Sequence, residues 1–162
     1  MPDEFDADGR PDVFVRPLGY VADEPAVRRI GARDLFIGNE SAARPDCHDR
    51  YDRTFEYVLS ASTEKQPLTT HHHPLIDGTG NEWRAFEAAV DTARRLFRRD
   101  GSLLVHCTAG ISQSSTLIAT TVAAEEDREF HDALAIVQDA RPHAMPNPAL
   151  HELAVTYLAA KT

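Results

Sequence analysis

The stretch His106-Cys107-Thr108-Ala109-Gly110-Ile111-Ser112-Gln113-Ser114 decides the fold of this 162-residue chain. Ahead of it, Ser102-Leu103-Leu104-Val105 follows the turn pair Asp100-Gly101 and reads as a short apolar strand. Behind it, Ser114 to Ala124 reads as a helix. A loop between a strand end and a helix start gathers backbone N–H groups at the positive end of a helix dipole. Such a concavity binds phosphate and favours a thiolate, and Cys107 supplies the thiol.

Outward from this loop, the hydrophobic pattern predicts strands and helices in alternation. From Asn81 to Arg99 the residues Trp83, Phe86, Val90, Ala93 and Phe97 recur at helical steps, which predicts a long amphipathic helix. Phe130 to Ala140 and Pro148 to Ala160 carry the same period, and Pro suits the first turn of a helix. Val13-Phe14-Val15, Arg33 to Asn39 and Phe55 to Leu59 read as strands, Leu68 to Leu75 as a weaker one, and Glu40 to Ala43 as a helical turn. The run Leu117 to Val122 is β-branched, yet its place behind the loop predicts a buried helix. Together these predict an α/β fold with helices packed around a central sheet.

Met1 to Asp12 is acidic and rich in turn residues, so residues 1–12 are expected to form a flexible tail and 13–162 a single domain. With 26 acidic and 17 basic side chains the net charge is −9, which repels nucleic acids and anionic membranes; neither is expected as a partner. No apolar run approaches the ~20 residues of a membrane span. Two cysteines, Cys47 and Cys107, make no disulfide framework, and no leader pattern precedes them, so a cytoplasmic setting is expected. Cys47 reads as an incidental thiol. The oligomeric state is not legible.

The residues His106 and Cys107, the run Ala109-Gly110-Ile111-Ser112 and the closing Ser114 resemble the phosphate-binding loop of the cysteine-dependent protein phosphatases, His-Cys-x5-Arg-Ser/Thr. The likeness is greatest to the dual-specificity and protein-tyrosine branch. Leu35-Phe36-Ile37-Gly38, followed by alanine, resembles that family's opening strand, and the likeness extends from about Arg33 to Tyr157. One position departs from the pattern: Gln113 stands where the family carries its phosphate-binding arginine.

The resemblance implies a four- or five-stranded, mostly parallel sheet with most helices on one side. It also implies that Cys107 attacks phosphorus to form a phosphocysteine, that Thr108, Ala109, Gly110, Ile111, Ser112 and Gln113 hold the phosphate, that His106 supports the thiolate from behind, and that Ser114 assists the cysteine as it leaves. Expelling the substrate's oxygen needs a general acid from another loop. Asp77 is that candidate, because it lies 30 residues before Cys107 and ahead of the long helix, where the family keeps its acid. No cofactor and no metal are expected: in an extended segment His71 and His73 face one side and His72 the other, so the three do not close on one ion. The basic helix end, Arg94, Arg95, Arg98 and Arg99, reads as complementing the helix dipole.

Gln113 is shorter than arginine and uncharged, so the expected activity is an attenuated phosphatase acting on phosphorylated proteins, with Arg141 a candidate substitute cation. The uncharged loop side chains point to a protein target over a lipid headgroup. Two alternatives remain open: a non-catalytic phosphate-binding pseudophosphatase, and a rhodanese-like sulfurtransferase, which also holds a cysteine in an anion-binding loop.

Overall fold

In the computed structural model, which describes residues 26–45 and 54–161, the chain begins with β1 (Val27–Arg29), β2 (Leu35–Gly38), a 3-10 turn over Glu40–Ala43, β3 (Tyr57–Ser60) and β4 (His71–His72). It continues through α1 (Trp83–Phe97), β5 (Leu103–His106), α2 (Gln113–Glu126), α3 (Phe130–Ala140) and α4 (Pro148–Lys161). The five strands form one sheet in the order β1-β2-β5-β3-β4, antiparallel at β1 and parallel elsewhere. This is the α/β architecture and mostly parallel sheet expected from the sequence. The expected tail, the Val13-Phe14-Val15 strand and Cys47 lie outside the described residues.

β5 is central because every one of its residues is buried, as a strand covered on both faces requires. Side chains then alternate across the sheet. Leu35, Ile37, Leu59, Leu103 and Val105 enter the large core shared with the four helices, while Phe36, Val58 and Leu104 join Phe55, Ala42 and Ala43 in a smaller cluster on the opposite face. Among the described residues, the helices therefore cover one side.

α1 buries Phe86, Ala89, Val90, Ala93 and Leu96, the stripe its periodicity predicts. α2 is different. Ser114 through Ala123 are all buried, so the helix runs through the middle of the helical layer with no solvent face. Three of its hydroxyls bond back to carbonyls one turn earlier: Ser115 Oγ to Ile111 O at 2.6 Å, Thr116 Oγ1 to Ser112 O at 2.7 Å and Thr120 Oγ1 to Thr116 O at 2.6 Å. Burial on all sides overrides the β-branched propensity of the run, and Asp127 ends the helix in the left-handed region at φ 56°.

Strand bounds differ from the sequence expectation at the sheet edges. β1 was not anticipated, since its three residues are half-buried or exposed and its alternation is hidden by Arg28 and Arg29. The strand expected over Leu68 to Leu75 shortens to His71–His72 because it is an edge with one partner. Gly38 ends β2 from inside the strand: a Cβ there would sit 2.8 Å from Ala42 Cβ and 3.0 Å from Leu104 Cδ1, so the glycine permits the following turn to pack closely.

Candidate functional site

The loop joining β5 to α2 is held from outside by its carbonyls. Thr108 O accepts from Glu40 N at 3.1 Å, and Ile111 O from Met145 N at 2.9 Å. Ala109 O accepts from Arg141 Nη2 at 2.8 Å and Gly110 O from Arg141 Nε at 2.9 Å. Ser112 O accepts from Thr116 N at 3.0 Å. In a planar trans peptide the following N–H points the opposite way. The N–H groups of Ala109, Gly110, Ile111, Ser112 and Gln113 are thus turned away from the scaffold, and none donates to a described residue. They form a nest at the N-terminus of α2, the arrangement that binds a tetrahedral anion.

Gly110 is required twice in that loop. Its φ of +71° belongs to the left-handed region, and a Cβ would lie 2.9 Å from the Gly38 carbonyl oxygen. Cys107 leads into the loop, with N–H donating to Gly38 O at 3.3 Å. Its Sγ is 3.2 Å from Ser114 Oγ, and both side chains are buried. The candidate nucleophile and the candidate hydroxyl are therefore in contact. Ser112 also ties the loop to the start of α4, its hydroxyl oxygen accepting from Asn147 N at 2.9 Å.

His106, fully buried, stands behind Cys107. Its Nδ1 is 3.4 Å from Cys107 O, and a carbonyl can only accept, so Nδ1 carries the proton. Nε2 is then the acceptor for Ser60 Oγ–H at 2.5 Å, and Ser60 Oγ in turn accepts from Thr69 Oγ1 at 2.7 Å. Sequence reading missed Ser60 and Thr69, since hydroxyls on another strand and loop carry no signal that links them to His106. Burial, outweighing the contact with the Cys107 carbonyl, lowers the imidazole from 6.5 to about 4.

This has a consequence for stability. The unfolded chain takes up the His106 proton near pH 6.5 and the folded chain only near pH 4, so the contribution is complete above 6.5 and is lost as pH falls toward 4. The size is roughly 3 kcal/mol. Thermal unfolding followed across this range should show a steeper acid decline for the native chain than for His106→Gln. His71 and His73 are also lowered but are present in both proteins, so they cancel. Parallel pH profiles would contradict the assignment.

Asp77 lies exposed on the loop between β4 and α1. Asn81 closes that loop, its Oδ1 accepting from Ile76 N and its Nδ2 donating to Ile76 O, each at 2.8 Å, with Gly78 O at 3.3 Å. Gln113 Nε2 donates to Leu75 O at 3.5 Å, so the loop carrying Asp77 abuts the loop carrying Cys107 through Gln113 itself. Arg141, considered from sequence as a substitute cation, directs its Nε and Nη2 at the outer side of the loop. There it acts as a brace.

His72 Nε2 bonds Ser62 O at 2.9 Å, while His71 faces Tyr57 edge-on with ring centroids 6.5 Å apart. No helix among the described residues is long and apolar enough to cross a membrane.

The family model of the dual specificity phosphatase catalytic domain matches residues 35–157. MAP kinase phosphatase with leucine-rich repeats protein 3 of Dictyostelium discoideum is 25% identical over 147 residues, covering 91% of this chain and 15% of that protein. Dual specificity protein phosphatase 22 of Homo sapiens is 30% identical over 118 residues, covering 70% of this chain and 64% of that protein. The chain thus spans only part of the curated relatives' own length. The crystal structure of human DUSP28 shares the fold with a TM-score of 0.73 at 21% identity, over 87% of this chain and 98% of that one.

Proposed function

The chain belongs to the dual specificity phosphatase catalytic-domain family, and from that premise we propose that it hydrolyses phosphomonoesters on tyrosine or on serine and threonine of proteins through a phosphocysteine. The observation that carries the reading is the outward-braced loop, whose free N–H groups end in a helix that places Ser114 Oγ 3.2 Å from Cys107 Sγ. The family supports a protein phosphatase over the sulfurtransferase alternative.

In this reading the Cys107 thiolate attacks phosphorus while the nest holds the non-bridging oxygens. The P–O bond to the substrate breaks, and Asp77 donates its proton to the departing oxygen. A water then attacks the phosphocysteine, with Asp77 taking a proton back, and the S–P bond breaks. Ser114 donates its hydroxyl hydrogen to the sulfur as negative charge returns there. His106, neutral and fixed in one tautomer, holds the Cys107 carbonyl and with it the start of the loop. A cytoplasmic setting belongs to the proposal because a catalytic thiol must stay reduced.

Phosphoenzyme trapping tests this. Acid quench after mixing with a radiolabelled phosphotyrosine peptide should leave label on the chain, none on Cys107→Ser, and more on Ser114→Ala because the intermediate breaks down more slowly. Label persisting on Cys107→Ser would overturn the mechanism. A second reading, phosphate binding without turnover, is favoured by one observation, that Gln113 directs its amide at Leu75 O. It predicts phosphate binding with no label at all.

A further inference from the structure

Two features of the sequence, the basic end of α1 and the histidine run of β4, have no part in the chemistry above, and the fold brings them together. Arg94 and Arg98 lie on one face of the helix end and both meet Glu125 of α2, at 2.6 Å through Arg94 Nε and Arg98 Nη2. Arg95 lies on the next face, and Arg99 follows two residues past the end of α1, its N–H donating to Leu96 O at 3.1 Å. They are exposed, and neither has an ion pair among the described residues. The Arg99 guanidinium lies 5.9 Å over the Tyr57 ring, which stands edge-on to His71. His71 pairs with Leu59 in parallel register, and His73 N donates to Ser60 O at 2.9 Å. Arg95 and Arg99 both help hold the His71 imidazole below its ordinary value, and Arg95 does so for His73, after the larger effect of burial.

We propose that Arg95 and Arg99, with the adjoining edge of β4, form a docking site for an acidic segment of the phosphoprotein substrate. The proposal rests on the phosphatase reading only for the word substrate. Charge complementarity carries it: in a chain of net charge −9, two arginines whose neighbours on the same turn share the Glu125 carboxylate keep their own charge exposed at the end of a sheet. Two planar guanidinium groups suit successive carboxylates. The strand they flank runs on through Pro74 into the loop that carries Asp77. His71 and Asp77 are six residues apart, so an occupant of the patch reaches the catalytic loop within at most about 20 Å of extended chain.

The test is fluorescence anisotropy with an unphosphorylated glutamate-rich peptide. Binding should weaken about five- to tenfold in Arg95→Gln/Arg99→Gln, stay within about twofold in the charge-matched control Lys65→Gln/Arg84→Gln, and fall as salt shortens the screening length. Charge reversal, Arg95→Glu/Arg99→Glu, should in turn bind a lysine-rich peptide. In Cys107→Ser, a phosphotyrosine peptide should bind more tightly when glutamates are placed about six residues from the phosphate. Absence of binding, equal loss in both double variants, or equal sensitivity of binding to phosphatidylserine vesicles would overturn the proposal. Hydrolysis of a small aryl phosphate, indifferent to Arg95 and Arg99, reads the phosphatase assignment separately.

Discussion

Gln113→Arg is expected to raise turnover of a small aryl phosphate by about 10²- to 10³-fold, because losing one preorganised donor at the reacting oxygens costs about that much and a charge is lost with it. Gln113 is the first residue of α2, half-buried, with its amide on Leu75 O. Arginine there adds two parallel donors and a fixed positive charge at the position where the equatorial oxygens gather negative charge in the transition state. The link to Leu75 O is 3.5 Å long, so replacing it loses little. Gln113→Ala separates the two effects: if the Leu75 contact matters for holding the Asp77 loop, alanine lowers the residual rate, and if only charge matters, alanine leaves it unchanged. Steady-state rates of the chain, of both variants and of Gln113→Arg combined with Cys107→Ser decide the matter. No gain with arginine would show that Gln113 is not what limits the site.

Arg141→Met is expected to cost about 2–4 kcal/mol of stability and to weaken inorganic phosphate binding by at least about 100-fold, since one buried and one partly buried carbonyl lose charge-assisted donors. Arg141 is itself buried, and its fork holds Ala109 O and Gly110 O outward at 2.8 and 2.9 Å. Without it these peptides gain by rotating their carbonyls toward water, and each rotation replaces an inward N–H with an inward oxygen. An inward oxygen repels an anion. Arg141→Lys keeps the charge but supplies one donor point in place of a fork, so it should fall between the two. Urea denaturation gives the stability change and calorimetry with phosphate the affinity. Undiminished phosphate affinity in Arg141→Met would show that the loop keeps its shape unaided.

Gln113 and Arg141 show how legible the site was. The loop itself could be read because its chemistry is local: a strand, a thiol, small residues and a helix start follow one another from Leu103 to Glu126. Gln113 stood out for the same reason. Arg141 carried no such signal, because the carbonyls it braces lie 31 and 32 residues earlier and a basic residue in a Pro-punctuated loop reads equally as a ligand for phosphate. Ser60 and Thr69 behind His106 were hidden likewise. Asp77 was reached through spacing and family resemblance, while its approach to the loop through Leu75 and Gln113 emerged only from the fold.

The amino-acid sequence alone determined the α/β class, the long stripe of α1, the buried run of β5 and the strand-loop-helix unit around Cys107, because each is written in apolar periodicity or in contiguous residues. Only the tertiary structure decided the sheet order, the three-residue β1 and the shortened β4, since edge strands are set by partners and carry weak alternation of their own. It also decided which side of the loop Arg141 occupies and which arginines at the end of α1 have no ion pair among the described residues, because hydrogen bonds and charges are satisfied across the chain rather than along it.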